Sequence, residues 1–324
     1  MCTAVFSGGE YPLLGRTLDL ERSYGEGIVV TPRAFPWRYR YSESSAEGNA
    51  MIGVACLHGG VPLYFDAVNE CGLAMAALNF PRSAVYRAGR AGKRNLASYE
   101  LIPWILSHCT TVGGAEDALS EINVTGDSVS EALPATPLHW IVADRERSVT
   151  VEATEEGIRL YENVFGVLTN EPPFPYHAAR VAELRQVTDA VPENRLLPGI
   201  ELPVFSGGLG AVGLPGDWSS PSRFLRAVFL SEKTVRGETP EEEISRLLHV
   251  LSAVSQPCGC ARTGDGLPIR TVYTAVADLT GGCYYFTTYE NRTVRAVSLF
   301  GELLDGAEPR FFRVHSPEEI RWEN

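Results

Sequence analysis

The sequence has no block of lysine and arginine, no low-complexity tract and no internal repeat, and no apolar run approaches the roughly 18 residues a membrane helix needs. Each absence excludes a class of function. Twenty-eight basic against forty acidic residues give a formal charge of −12. That charge opposes attraction to nucleic-acid phosphates and anionic lipid, so neither nucleic acid nor a membrane is an expected partner. The N-terminus lacks the basic, apolar, small-residue progression of an export signal, and the chain is expected to stay in the cytoplasm. Seven cysteines (Cys2, Cys56, Cys71, Cys109, Cys258, Cys260 and Cys283) form an odd, scattered set that argues against a disulfide framework. Cys258-Gly259-Cys260 has no second CxxC or histidine pair at ligand spacing, so no metal is expected. His139 beside Trp140 and His249 in a helical run read as packing or surface histidines rather than as a base.

What is present suits an ordinary globular protein. With 44% hydrophobic and 21% charged residues over 324 positions, the chain can bury a sizeable core, and without a convincing linker residues 1–324 are expected to form a single domain. Short β-branched and aromatic runs mark strands at 27–31, 63–68 and 73–79, with hairpins at 139–152 and 271–289. Thr239-Pro240-Glu241-Glu242 is a capping box with proline at the first helical position, Ser220-Pro221 starts a similar helix, and two more are expected from Glu100 to Cys109 and from Ala115 to Ile122. Strand groups between helix pairs, without a regular βαβ rhythm, indicate a layered α+β fold of antiparallel sheets.

The chemistry begins at MCTAVF. Loss of Met1 would leave Cys2 with both a thiol and a free α-amine, which titrates near about 7.7–8.0 and can take the thiol proton. Arg16 and Asp19 follow in a second strand. They could form an edge-strand ion pair, or Asp19 could hold the ammonium of Cys2 while Arg16 favours its thiolate. Asn79 and Asn170 each end a strand before a proline-containing turn. Each could simply cap its turn, or the two could converge as N–H donors to a carbonyl oxygen that gains charge. Gly213 to Phe224 is a Gly- and Pro-rich loop entering a helix. Arg223 lies in that helix's first turn, against the dipole, which favours a site role.

Taken together, MCTAV, GRTLD, SYGEGIVVTPR, YFDAVNECGLAMAALNFP, GVLTNEPPF, GLPGDWSSPSRF and RTVYTAVAD resemble, in order, the choloylglycine hydrolase family of N-terminal nucleophile hydrolases. The resemblance implies an αββα four-layer sandwich. It implies Cys2 as nucleophile with Arg16 and Asp19 beside it, Asn79 and Asn170 near the oxyanion, Arg223 closing the site, no cofactor, and a homotetramer. Members of the bile salt type begin at this cysteine after losing methionine, so Met1 is expected to be removed with no longer leader to trim. The run Leu78-Asn79-Phe80-Pro81 looks like the bile salt version, whereas penicillin V acylases tend to carry tyrosine at the Asn79 position. The implied substrate is therefore a glycine- or taurine-conjugated bile salt, with penicillin V or an acyl-homoserine lactone as the alternative. A noncatalytic steroid-binding protein is the reading if Met1 is retained. Leu20, Tyr24 and Phe65 could line an apolar pocket or serve core packing equally well.

Overall fold

The computed structural model describes residues 1–41 and 48–324. Among these, one sheet runs in the order Val167–Leu168, Cys2–Ser7, Leu13–Leu20, Pro268–Asp278, Cys283–Thr288, Arg295–Ser298, with Ala261–Arg262 added on Pro268–Asp278. A second sheet runs Gly157–Glu162, Ser148–Thr154, Leu138–Ala143, Ala74–Asn79, Val61–Asn69, Met51–His58, Gly27–Thr31, Arg310–Arg313. All pairings along these two orders are antiparallel.

The helices Ser220–Lys233 and Pro240–Ser252 cover the first sheet, and Leu101–His108 and Val112–Glu121 cover the second. This gives the four layers αββα. Burial on both faces explains why the strands read as nearly continuous apolar runs. In the second sheet the period of two still sorts the side chains: Ile28, Val30, Ile52, Val54, Leu78 and Ile141 fill the space between the sheets. Val29, Met51, Met75, Trp140 and Val142 meet the Leu101–His108 helix layer instead.

Most sequence-derived elements recur within a residue or two. Half of the capping box forms: Thr239 Oγ1 accepts from the Glu242 N–H, while the Glu242 carboxylate accepts from the Glu238 N–H instead of that of Thr239. Gly72 turns between Val61–Asn69 and Ala74–Asn79 at φ +90°, where an added Cβ would lie 2.2 Å from the Leu279 carbonyl oxygen. Two expectations change. The helix expected to run to Ile122 ends at Glu121, because Ile122–Thr125 pairs in parallel with Arg94–Ala97. Leu13–Leu20 is an interior strand rather than an edge, and Arg16 and Asp19 do not pair. An odd spacing of three puts their side chains on opposite faces of a strand.

A buried cluster ties the first strand to its covering helix. Ser7 Oγ donates to Glu243 Oε1 at 3.0 Å, and Arg246 donates to both Glu243 oxygens at 2.8 and 2.7 Å. Burial opposes ionisation of Glu243, but Arg246, the Gly237 N–H and Arg236 hold its carboxyl down to about 2. A depressed carboxylate contributes stability above its unfolded value and loses it as pH falls through the folded one. Glu243→Gln should therefore cost on the order of 2 kcal/mol at neutral pH. The difference in melting temperature from the parent protein should shrink as pH drops from about 4.5 toward 2; a difference constant with pH would remove this account.

Candidate active site

The register of three strands assembles the site. Cys2 lies opposite Leu18, and Ala4 opposite Arg16, so the side chains of Cys2 and Arg16 share the face turned to the second sheet. Thr3, Thr17 and Asp19 point to the helical side. Cys2 is 3% exposed with Met1 in place. The Met1 nitrogen donates to the Asp19 carbonyl at 2.6 Å, and the Asp19 N–H donates to the Met1 carbonyl at 2.8 Å.

Asn170 is the hub. Its Oδ1 accepts from the Cys2 nitrogen at 2.8 Å and from Arg223 Nη2 at 2.8 Å, and its Nδ2 donates to the Asn79 carbonyl at 2.8 Å. The strand end Val167–Leu168 delivers it, since Val167 and Leu168 pair with Val5 and Ala4. Ser220 Oγ accepts from the Asn170 N–H at 2.8 Å, and His177 Nε2 bonds the Asn170 carbonyl at 2.9 Å. Burial pushes His177 below the usual imidazole range, so it is neutral at pH 7 and donates through Nε2.

Arg223 is wholly buried and has no carboxylate within salt-bridge reach among the described residues. It donates to the Cys2 carbonyl, to Thr3 Oγ1 at 2.6 Å and through Nε to the Trp218 carbonyl at 3.0 Å. Its side chain reaches back over the helix N-terminus, as helical rotamers direct, into the site. Burial lowers its affinity for the proton, and the charges of Asp19 and Cys2 oppose that effect. The carboxylate of Asp19 accepts from Thr271 Oγ1 at 2.6 Å and from Gln256 Nε2 at 3.1 Å. Arg16 lies in the inter-sheet space, its Nη1 3.2 Å from Asp66 Oδ2 and its guanidinium 5.6 Å from the Tyr273 ring.

The structure thus gathers Cys2, Asp19, Asn79, Asn170 and Arg223 around the first peptide units and sets Arg16 against the same strand from the other face. Two buried cations, three amide or hydroxyl ties and a thiol with an adjacent nitrogen are the parts an acyl transfer needs. The three apolar candidates divide. Leu20 and Phe65 are half-buried and pack against the inter-sheet cluster that contains Cys2. Tyr24 is 43% exposed and carries the Arg22 guanidinium at 5.0 Å.

A family model for linear amide C–N hydrolases of the choloylglycine hydrolase family matches residues 2–312. The chain belongs to that family. It is a hydrolase of linear amide C–N bonds with the αββα fold of the N-terminal nucleophile hydrolases. The bile salt hydrolase/transferase of Lactiplantibacillus plantarum is 38% identical over 308 residues, 95% of each chain. The bile salt hydrolase/transferase of Clostridium perfringens is 32% identical over 330 residues, 100% of each. A crystal structure of a mutant conjugated bile acid hydrolase from Clostridium perfringens superposes with a TM-score of 0.93 at 31% identity, covering 100% of both chains. Penicillin V acylase from Agrobacterium tumefaciens shares the fold, with a TM-score of 0.77 at 21% identity over 98% of this chain and 94% of that one.

Sequence reasoning did not reach several residues that hold the site. Asp66, Tyr273 and Gln256 sit in apolar or loop contexts with no local signal. His139, read as a packing histidine, is buried at 0% exposure, stacks on Phe80 at 4.3 Å and bonds the Thr169 carbonyl at 2.9 Å. It therefore braces the segments carrying both Asn79 and Asn170. The proline-flanked asparagines were the available signal, because anything packed beneath both must position them.

Proposed function

We propose that this hydrolase, once Met1 is removed, cleaves the amide joining a cholate-type acyl group to glycine or taurine, with Cys2 as nucleophile. The observation that carries the reading is the Cys2 nitrogen held 2.8 Å from Asn170 Oδ1 and so tied to the buried Arg223. With Met1 gone, that nitrogen is an α-amine already fixed beside its own thiol. It accepts the thiol proton, directly or through water, and the thiolate attacks the amide carbonyl carbon. The carbonyl π pair moves to oxygen, where the Asn79 side chain, which makes no hydrogen bond among the described residues, supplies an N–H. The second Nδ2–H of Asn170 is a further donor. Collapse expels glycine or taurine with the proton held by the amine, and water then cleaves the thioester, returning the thiol. The nucleophile, base and donors are all protein groups, so the scheme calls on no cofactor.

Relatives that are bile salt hydrolases support the steroid conjugate. Hydrolysis of glycocholate should exceed that of penicillin V; the reverse ratio would transfer the assignment to the acylase branch. Intact mass decides between the enzyme and a noncatalytic steroid binder. With Met1 in place the Cys2 nitrogen is an amide and cannot act as a base, so active protein should lack Met1. Iodoacetamide should inactivate the protein and a metal chelator should spare it, whereas activity lost to a chelator and restored by zinc would replace this mechanism.

In the same reading, residues 1–324 act as one domain in the reducing cytoplasm, where seven free thiols are compatible. The chain assembles as a homotetramer, for which the apolar side chains on the long segment before Ser220 speak. Leu196 and Phe205 are each 83% exposed and Val212 is 73% exposed. Sedimentation as a monomer at micromolar concentration would remove that element.

A further inference from the structure

Among the described residues Asp66 is the one carboxylate that reaches Arg16, and it is itself engaged from the first sheet. Its Oδ2 accepts from Tyr273 Oη at 2.6 Å as well as from Arg16 Nη1 at 3.2 Å, and its Oδ1 accepts from Tyr284 Oη. All four residues are buried, between 1% and 5% exposed. A β-bulge stands beside each end of this contact. In the second sheet Val54 pairs with Asp66 but Ala55 with Tyr64, so Phe65 is the extra residue and the face turned to the first sheet receives both Phe65 and Asp66. In the first sheet the shift between Thr271 and Tyr273 puts Tyr273 on the face of Leu18 and Arg16, while Thr271 stays with Asp19. Two bulges that re-aim side chains toward one point are a built arrangement rather than incidental packing.

The arrangement leaves one atom without a protein partner. Arg16 Nη2 is buried and makes no hydrogen bond among the described residues, which leaves a donor on the guanidinium for a polar or charged group to meet. A carboxylate left alone with Arg16 would form a tighter, bidentate pair and cancel its field. The two phenols occupy the Asp66 oxygens instead.

We propose that Asp66, held by Tyr273 and Tyr284, is a positioning residue that limits its own neutralisation of Arg16, so that positive charge remains directed at the Cys2 thiolate. The proposal rests on Cys2 being the nucleophile. Burial keeps both phenols protonated, far above their usual range, and therefore as donors. Burial works against the Arg16 charge, but the negative charges of the Cys2 thiolate and the Asp66 carboxylate favour it, so the guanidinium stays charged and Cys2 lies within its field. The other charged groups around the Cys2 thiol are Arg223 and Asp19 from the helical side and, once Met1 is gone, its own amine. None of them contacts Asp66.

The test uses Met1-free protein and reads pH-dependent carbamidomethylation of Cys2 on the N-terminal peptide, together with kcat, KM and melting temperature. Tyr273→Phe and Tyr284→Phe should raise the alkylation midpoint by about half to one pH unit as Asp66 closes on Arg16. They should lower kcat roughly tenfold with KM little changed, since a misplaced charge acts on the reacting atoms rather than on binding. Asp66→Asn, which keeps the shape and removes the charge, should move the midpoint the opposite way, to lower pH. Opposite shifts cannot come from general loosening. If Asp66→Asn does not fold, the two phenylalanine variants carry the test. Midpoints unshifted on a reactive parent thiol, or kcat lost only in proportion to unfolding, overturn the proposal alone. A parent Cys2 no more reactive than the other cysteines overturns the nucleophile reading and this proposal with it.

Discussion

Cys2→Ala is expected to abolish amide hydrolysis, by on the order of 10⁴-fold or more, while the protein melts within a few degrees of the parent. The two halves of that result have separate causes. The side chain is small and sits at the start of a strand whose backbone pairs with Leu13–Leu20 from Cys2 to Ser7, and deleting one sulfur leaves every one of those hydrogen bonds in place. The lost burial is about 1 kcal/mol, which shifts a melting midpoint by only a few degrees in a chain of this size. The chemistry has no substitute, because no other cysteine lies on Cys2–Ser7, the strand paired both with Leu13–Leu20, which carries Arg16, and with Val167–Leu168, which leads to Asn170. Cys2→Ser should retain a trace of activity at most, since a hydroxyl is far less acidic than a thiol and the neighbouring amine cannot ionise it. Near-parental turnover of glycocholate by Cys2→Ala would remove the proposed mechanism at its root.

Asn170→Ala should be the second most damaging change, lowering kcat by about 10²–10³-fold and also destabilising the fold. One amide here serves three partners: the Cys2 nitrogen, Arg223 and the Asn79 carbonyl. Truncation leaves the buried Arg223 with one acceptor fewer and no carboxylate, and it lets the amine of the processed chain swing away from its thiol. Asn170→Asp separates the roles. It keeps an acceptor for the amine and for Arg223, so stability should largely return, but it has no N–H for Asn79 or for an oxyanion, and its charge disfavours the thiolate. Its kcat should therefore stay low. Asn79→Ala gives the complementary result, because its carbonyl remains and only the free side chain is lost, so catalysis should fall with little change in melting temperature. If Asn170→Asp recovered parental kcat, the amide would be a scaffold for the N-terminus and nothing more.

Punctuation and periodicity made much of this protein legible. The cap at Thr239, the glycine turn at Gly72 and the apolar runs of 27–31 and 139–143 act within a few residues, and tertiary contacts had no reason to override them; the cap expected at Ser220 belongs instead to Ser219, because Ser220 Oγ bonds Thr169 and Asn170. The helix expected to run to Ile122 stops at Glu121 where a tertiary contact did intervene, since pairing with Arg94–Ala97 drew Ile122–Thr125 into a strand. The chain motifs likewise carried the family, and with it the candidate roles of Cys2, Arg16, Asp19, Asn79, Asn170 and Arg223. Spacing alone could also have shown that Arg16 and Asp19, three apart in a strand, face opposite ways.

The partners of those residues were decided only in three dimensions. Asp66 looks like a polar break in the strand Val61–Asn69, and Tyr273 and Tyr284 like ordinary hairpin aromatics, until two bulges and the stacking of two sheets bring residues over two hundred positions apart into one hydrogen-bonded cluster. His139 looks like packing until the strand order sets Leu138–Ala143 beside Ala74–Asn79. A residue's own type and its near neighbours determine whether it can be a nucleophile, a cap or a turn, because those depend on local backbone geometry. Which charge faces the thiol, and how far that charge is neutralised, depends on register and on the packing of layers, and these are properties of the whole fold.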